Sequence, residues 1–372
     1  MKTLAIETSC DDTSLAIVSC TDGFFVVEKM LSYTQTEEHR QRGGVVPELA
    51  ARSHAEKILV VLAELGGEQI REEIDFITVT SHPGLPGALI VGITTAYTLS
   101  ALRDKPVVEV NHIMGHVFSI LVGRSLEILR LPYLCLTVSG GHNDLYLVSS
   151  EKWILESDIR KQQQDIQTNS KGIVKKYHHL SVGESVHVGS YTVTKLGQTV
   201  DDAAGEAFDK VARMLGWPYP GGKRIGEQAE KYDAKSPDAY LFHPWRITDQ
   251  PLNFSFSGIK SQAHNFIEKA EKNGSLDETA RSALAFAFQE CVTTDLVEKL
   301  ALAAQLSDAQ TIGIVWGVSA NTRLREKVLT DALLSTQSCF FPEQFVYCTD
   351  NAAMIGVVGL LEKRNKIPET RF

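Results

Sequence analysis

"LAIETSCDDTSLAIVS", residues 4–19, can be laid without a gap on "LCLTVSGGHNDLYLVS", residues 134–149, at a constant offset of 130. Identities fall at Leu4/Leu134, Ser9/Ser139, Leu15/Leu145, Val18/Val148 and Ser19/Ser149. Each copy reads as a strand, a tight polar loop and a returning strand, the pattern of a β-hairpin. Each also stands near the head of a block of roughly 130 residues, so duplication explains the match better than chance between short apolar strands.

Working outward, "VPELAARSHAEKILVVLAEL" (46–65) carries helix signals. "IDFITVTSHPGLPGALIVGITTAYTLSALRDKPVVEVNH" (74–112) reads strand, Gly/Pro turn, long apolar helix and strand. The pattern returns in "TIGIVWGVSANTRLREKVLTDALL" (311–334) and "FVYCTDNAAMIGVVGLLEK" (345–363), each a strand, a short loop and a helix. This alternation predicts an α/β fold with ligands at the carboxyl ends of strands. At 372 residues the chain exceeds what one core usually supports. Two lobes are expected, 1–128 and 129–351, with a C-terminal helix in 352–372 packing back on the first. Residues 151–187 are polar and weakly periodic and read as an inserted surface excursion.

Composition narrows the function classes. An apolar fraction of 43%, a charged fraction of 22% and mean hydropathy of −0.08 are those of an ordinary globular protein. No run of 18 apolar residues occurs, so no membrane helix is expected. "MKTLAIETS" enters a strand directly, without a signal or transit pattern. The six cysteines lack CxxC spacing and read as reduced cytosolic thiols. A formal charge of −9 argues against indiscriminate nucleic-acid binding. Local basic clusters at 39–42, 159–164, 171–176 and 221–226 leave room for a basic path, although each is by itself an ordinary solvated surface.

Several short stretches carry chemistry. In "VEVNHIMGHVFSIL" (108–121), His112 and His116 share one helical face, where both imidazoles could reach one ion or, more simply, be satisfied by neighbours. Ile113 stands where a zinc protease of the HExxH kind has Glu, which argues against that hydrolysis. Asp350, at the mouth of the last loop, could cap the following helix or complete a His112/His116/Asp350 set. Two imidazoles and a carboxylate suit Fe(II) or Zn(II) rather than Ca or Mg. Asp11 and Asp12 are turn formers or catalytic carboxylates. "SGGH" (139–142) and "WPYPGGKRIGEQAE" (217–230) each place Gly-Gly where backbone N–H groups can approach an anion. "GVSAN" (317–321) could admit a flat base, with Asn321 hydrogen-bonding it. Together they suggest a nucleotide site, although neither GxxxxGK[ST] nor GxGxxG after a strand occurs.

In order along the chain, "ETSCDDT", "GGVVPELAARSH", "PGLPGALIVG", "NHIMGH", "SGGHN", "DDAAGEAFDKVARMLGWPYPGG", "FSFSGIKS", "GVSAN" and "CTDNAAMIG" resemble the TsaD/Gcp family. These are the tRNA N6-adenosine threonylcarbamoyltransferases, formerly labelled O-sialoglycoprotein endopeptidases. The resemblance implies the duplicated actin/hexokinase/Hsp70-like (ASKHA) fold with a central cleft. It also implies transfer of a threonylcarbamoyl group from threonylcarbamoyl-adenylate to N6 of adenosine 37 in tRNAs reading codons that start with A. The implied metal ligands are His112, His116 and Asp350, for one divalent ion, Fe(II) ahead of Zn(II). Implied substrate contacts are Thr137, Val138, Ser139, Gly140, Gly141, Asp209, Gly222 and Asn321, with Asp11 and Asp12 positioning or activating the amine. Implied partners are tRNA, a TsaB-like paralogue and a TsaE-like ATPase, in a bacterial cytoplasm or, alternatively, an organelle. The chain departs from the family at His82, where Gly is usual, at Lys223, where Pro is usual, and in 151–187, which has no usual counterpart. Two other classes share such a fold: a small-molecule kinase or ATPase, and a noncatalytic nucleotide-binding scaffold.

Overall fold

The computed structural model describes residues 1–40, 45–66, 74–150, 180–232, 240–244 and 247–364. Two compact units emerge. The first comprises Met1–Leu131, Val148–Thr194 and Pro342–Phe372, and the second Pro132–Leu147 and Lys195–Phe341. The stretch 342–350 therefore counts with the first unit, where the sequence pattern put it in the second lobe.

The first unit is built on β1 (Lys2–Glu7), β2 (Asp12–Thr21), β3 (Phe24–Thr34), β4 (Phe76–His82) and β5 (Val107–Asn111), in the order β3-β2-β1-β4-β5. β1 and β2 form the predicted hairpin, antiparallel from Lys2↔Ser19 to Glu7↔Ser14. β1, β4 and β5 run parallel. The crossovers that parallel strands require are supplied by helices. After a short α1 (Thr36–Arg40), α2 (Pro47–Leu65) and α3 (Pro86–Arg103) each begin with proline in the first turn, where its missing N–H costs nothing. α2 buries Ile58, Val61 and Leu65 in a core with Leu4, Ile6, Leu15, Ile77 and Val79. α4 (His112–Phe118) starts directly after β5, and Asn111 Oδ1 caps it by accepting from the Ile113 and Met114 N–H groups.

The second sheet has the order β11-β10-β6-β7-β9-β8. Its strands are β6 (Tyr133–Val138), β7 (Asn143–Ser150), β8 (Ser185–Val188), β9 (Tyr191–Gln198), β10 (Thr311–Val315) and β11 (Ser338–Phe340). Read as β9-β7-β6-β10-β11, it repeats the first sheet strand for strand, with β8 added at one edge. β6 and β10 are parallel, as are β10 and β11. The duplication seen at 4–19 and 134–149 is thus a duplication of topology. Around this sheet lie α5 (Ala204–Met214), α6 (Gly221–Ala229), α7 (Ser257–Lys272), α8 (Glu278–Ser307) and α9 (Thr322–Thr330). Leu134, Leu136, Phe208, Phe288, Leu296 and Ile314 are among the side chains of its core.

Two expectations need correction. Ser185–Val188 is a strand paired antiparallel with β9, so the excursion ends before 185. Residues 151–179 of it lie outside the described residues. Residues 345–348 do not form a strand either. Phe345–Tyr347 is a single 3-10 turn, closed by Tyr347 N–H to Gln344 O and Cys348 N–H to Phe345 O. An apolar run becomes a strand only where a neighbour offers a hydrogen-bonding edge. Here the chain leaves that edge at Phe340 and goes on to α10 (Ala352–Arg364). α10 lies on β1 and β2, and Gly356 is the reason it can. A Cβ there would stand 2.6 Å from Val18 Cγ2 and 2.9 Å from its Cβ.

Candidate metal centre and binding loops

His112 and His116 fall at the first and fifth positions of α4, so one turn of helix stacks their rings on one side. The ring centroids lie 4.8 Å apart, edge to face. Asp350 arrives from a segment more than 230 residues further along. Its Oδ1 is 3.0 Å from His116 Nε2 and 3.5 Å from His112 Nε2. The helix-capping alternative for Asp350 does not hold, because that task belongs to its neighbours. Asn351 Oδ1 accepts from Met354 N–H, and Ser14 Oγ from Ala352 N–H. Ligand atoms of His112, His116 and Asp350 all lie within 4.8 Å of one another.

Behind this trio stands Glu7, at the end of β1 and fully buried. Its Oε2 is 3.0 Å from His112 Nδ1 and also accepts from Thr80 Oγ1, while Oε1 accepts from Ser9 N–H. Ser9 Oγ lies 3.1 Å from the same Nδ1. Burial pushes His112 down, but the Glu7 and Asp350 carboxylates outweigh it and lift it to about 9. Burial raises Glu7, and the His112 charge and hydrogen bond reverse that to a net lowering. His116 is held below the ordinary imidazole range by burial and by His112. The donor set therefore fits a divalent transition metal. Two imidazole Nε2 atoms and one carboxylate oxygen converge, and a buried carboxylate holds His112 Nδ1 as a donor, which frees Nε2 for an ion. Glu7 is not among the residues expected from sequence. A carboxylate ending an otherwise apolar strand is the signal that could have found it.

Asp11 and Asp12 leave the first hairpin turn beside this group. Asp12 already belongs to β2, paired with Thr34. Burial first, then Asp11, Asp350 and Glu7, raise its carboxyl to about 7, and its buried Oδ1 has no hydrogen-bond partner. His54, buried on α2, ties both ends of the turn, with Nε2 3.0 Å from Cys10 O and Nδ1 2.7 Å from Thr13 Oγ1.

In the second unit, Thr137 and Val138 lie within β6. The Thr137 hydroxyl is committed to the Asp144 backbone, and Val138 is buried in the core. Ser139 Oγ donates to His142 O and accepts from the N–H groups of Gly141 and His142. Two amides expected to face an anion are thus engaged by this serine. A Cβ on Gly140 or Gly141 would meet nothing within 4 Å, so the loop tip faces open space. Asp209 does not project alone. Its Oδ1 accepts from Gly221 N–H at the start of α6, and burial holds its carboxyl above the ordinary range. Gly222 follows in that same first turn. Asn321 caps α9 through Leu324 N–H and donates to Gln289 Oε1. Its side chain shapes the loop.

Beneath the Ser139 loop lies a buried ion pair, Lys195 Nζ to Asp144 Oδ1 at 3.1 Å, with Tyr146 donating to Asp144 Oδ2 at 2.9 Å. Sequence alone does not announce it, because a lysine in a strand is most often solvated.

A duplicated α/β unit carrying a His/His/carboxylate group defines the class first. The fold is of the ASKHA kind: HypF from T. kodakarensis superposes with a TM-score of 0.54 at 12% identity, over 99% of this chain and 48% of that one. The chain spans about half of that protein, and the likeness speaks for the fold alone. The particular family follows from sequence. A profile described as "TsaD: tRNA N6-adenosine threonylcarbamoyltransferase" matches residues 27–167 and 183–357. Curated proteins of that name are similar throughout. The one from Geotalea uraniireducens is 37% identical over 96% of this chain and 90% of its own length. Those from Thermotoga neapolitana and Bacillus subtilis are 38% and 37% identical, covering 96% and 97% of this chain and 93% and 90% of theirs. The chain belongs to the TsaD family, and it is an acyltransferase acting on adenosine N6 in tRNA. Among the described residues no helix is long and apolar enough to cross a membrane.

Proposed function

We propose that the chain moves a threonylcarbamoyl group from threonylcarbamoyl-adenylate to N6 of adenosine 37 of tRNA, with AMP leaving. The observation that carries this reading is the convergence of His112, His116 and Asp350 in front of a buried Glu7, in a chain of this family. His112, His116 and Asp350 would hold one divalent ion, Fe(II) in preference to Zn(II). The chemistry such an ion supplies when bound is polarisation of a carbamoyl or phosphate oxygen. Glu7 keeps the His112 proton at Nδ1. Asp11 and Asp12, held by His54, orient the incoming amine, and Asp12, with its raised pKa, can take up the proton the amine loses. In the second unit, loop 137–141 with Asp209, Gly222 and Asn321 is assigned to the adenylate, Gly140 and Gly141 offering open backbone while Thr137, Val138 and Ser139 brace the loop. Adenine N6 is a weak nucleophile, so positioning carries most of the rate. A net charge of −9 means that tRNA is gripped by local basic strips or by partners, a TsaB-like paralogue and a TsaE-like ATPase, in a bacterial cytoplasm.

The test is reconstitution. Purified protein, its partners, tRNA and threonylcarbamoyl-adenylate are mixed, and digested tRNA is searched for the modified nucleoside. Modified A37 is expected. Turnover of ATP with a small acceptor and no change in tRNA would instead support the kinase reading.

Two further results are expected of the metal group. Glu7→Gln removes the charge behind His112 and should weaken metal affinity by about 10–100-fold, measured by competition with a chromophoric chelator. Metal uptake should also depend on pH with a definite sign. Below about 9, His112 carries a proton that an ion must displace. Binding at pH 7 should therefore release close to one proton, and affinity should rise with pH and level off near 9. Titration calorimetry in buffers of differing ionisation enthalpy reads this directly. Uptake with no proton release would contradict the ligand role of His112.

A further inference from the structure

Trp316 follows directly on β10, with φ 77° and ψ −177°. Glycine occupies that backbone region almost alone, because a side chain there collides with its own peptide groups. Asp104 and Asp308, also at positive φ, are different. They sit in the left-handed region at helix ends, with φ 51° and 50° and ψ 44° and 37°, which a short acidic side chain tolerates. A tryptophan gains nothing of that kind. Glycine at 316 would relax the chain, so the indole is held there at a conformational cost.

Its place in the sheet indicates what. Val315 pairs in parallel with Thr137, so the Trp316 turn and the Ser139 loop leave the carboxyl ends of adjacent strands. That is where α/β sheets bind ligands. A Cβ added at Gly140, Gly141 or Gly317 would meet nothing within 4 Å, so there is open space on both turns. The strained residue is firmly held. Ser319 N–H donates to Trp316 O at 2.9 Å, Arg325 Nε to Ser319 O at 2.7 Å, and Asn321 is tied to Gln289 and Leu324. Strain of this kind persists where the surroundings over-determine it, and it collects at binding sites. Trp316 itself is half-buried.

We propose that Trp316 is the aromatic platform on which the adenine ring of the adenylate stacks. The indole offers the largest π face of any side chain, and base–aromatic stacking requires no particular hydrogen-bond pattern. The proposal rests on the reading that the second unit takes an adenylate.

The test uses AMP as probe, the full-length protein, and Trp316→Gly, Trp316→Leu and Trp316→Phe. Calorimetry should give a loss of AMP affinity of about tenfold or more for Trp316→Gly and Trp316→Leu, and less than about threefold for Trp316→Phe. The thermal midpoint of Trp316→Gly without AMP should rise, since the strain is gone. Trp316→Leu keeps the strain and loses the ring, so it reports on stacking if the glycine variant folds poorly. AMP should quench fluorescence in the parent protein, which has four tryptophans, and the quench should be largely lost in Trp316→Phe. Parent protein that takes up no AMP overturns the adenylate reading and the platform together. Parent protein that binds AMP, with equal affinity in Trp316→Leu, overturns the platform alone. Tighter binding in Trp316→Gly makes the indole an obstruction and overturns it equally.

Discussion

His112→Ala should bind no stoichiometric metal and should lose at least about 100-fold in threonylcarbamoyl transfer, the scale at which removal of one group stabilising developing charge is felt. Two costs are combined in this variant. The ion loses one of three protein ligands. Glu7, fully buried, also loses the partner that lies 3.0 Å from its Oε2, leaving a carboxylate stranded in the core. The thermal midpoint should therefore fall along with activity. Asp350→Asn separates the two effects. Asp350 is the most exposed of the three and keeps its shape as asparagine, so metal and transfer should be lost with little change in stability. Metal analysis, the modified-nucleoside assay and a thermal melt on both variants give the comparison. Parent-like transfer by metal-free His112→Ala would sink the metal assignment.

Lys195→Ala is expected to be among the most destabilising single changes in the second unit, by about 3–5 kcal/mol. Lys195 and Asp144 are each about 2% exposed, so water cannot replace the lost charge. Tyr146 would remain as donor to Asp144 Oδ2, and a single neutral hydrogen bond does not compensate for a buried carboxylate. Attraction in the intact pair does little more than offset the desolvation of both groups. Lys195→Met combined with Asp144→Leu should therefore recover most of the loss. Chemical denaturation of the three proteins tests this. If the single and double variants are equally unstable, the damage comes from packing rather than from stranded charge. Because Thr137 Oγ1 bridges to the Asp144 backbone, the single variant should also loosen the Ser139 loop and weaken AMP binding.

The duplication, the α/β alternation and the candidate ligands are legible in sequence for physical reasons. Strand–loop–strand units with inward apolar residues repeat at a fixed offset only when the same backbone is built twice. The i,i+4 spacing of His112 and His116 is itself a geometric statement once the segment is helical. Local chemistry does not reveal the partners. Glu7 and Ser9 meet His112, and Thr80 meets Glu7, because β1, β4 and α4 come together, and the partners are separated by 73 to 105 residues. The fate of Asp350 was equally undecidable from its neighbourhood. An Asp before a helix is a sound cap, and only the packed chain shows Asn351 in that role and Asp350 with the histidines. The 345–348 run shows the converse, an apolar segment with strand composition and no sheet edge to join.

Sequence by itself determined the repeated α/β architecture, the motifs that place the chain in its family, and which side chains could coordinate an ion. Tertiary structure alone decided which of those side chains converge, which loop amides are already engaged by Ser139, and where a lysine–aspartate pair lies buried. The division has one cause. Periodicity and residue type act over a few residues of chain, whereas coordination, burial and the pKa of a carboxylate depend on atoms brought within a few ångströms from distant positions.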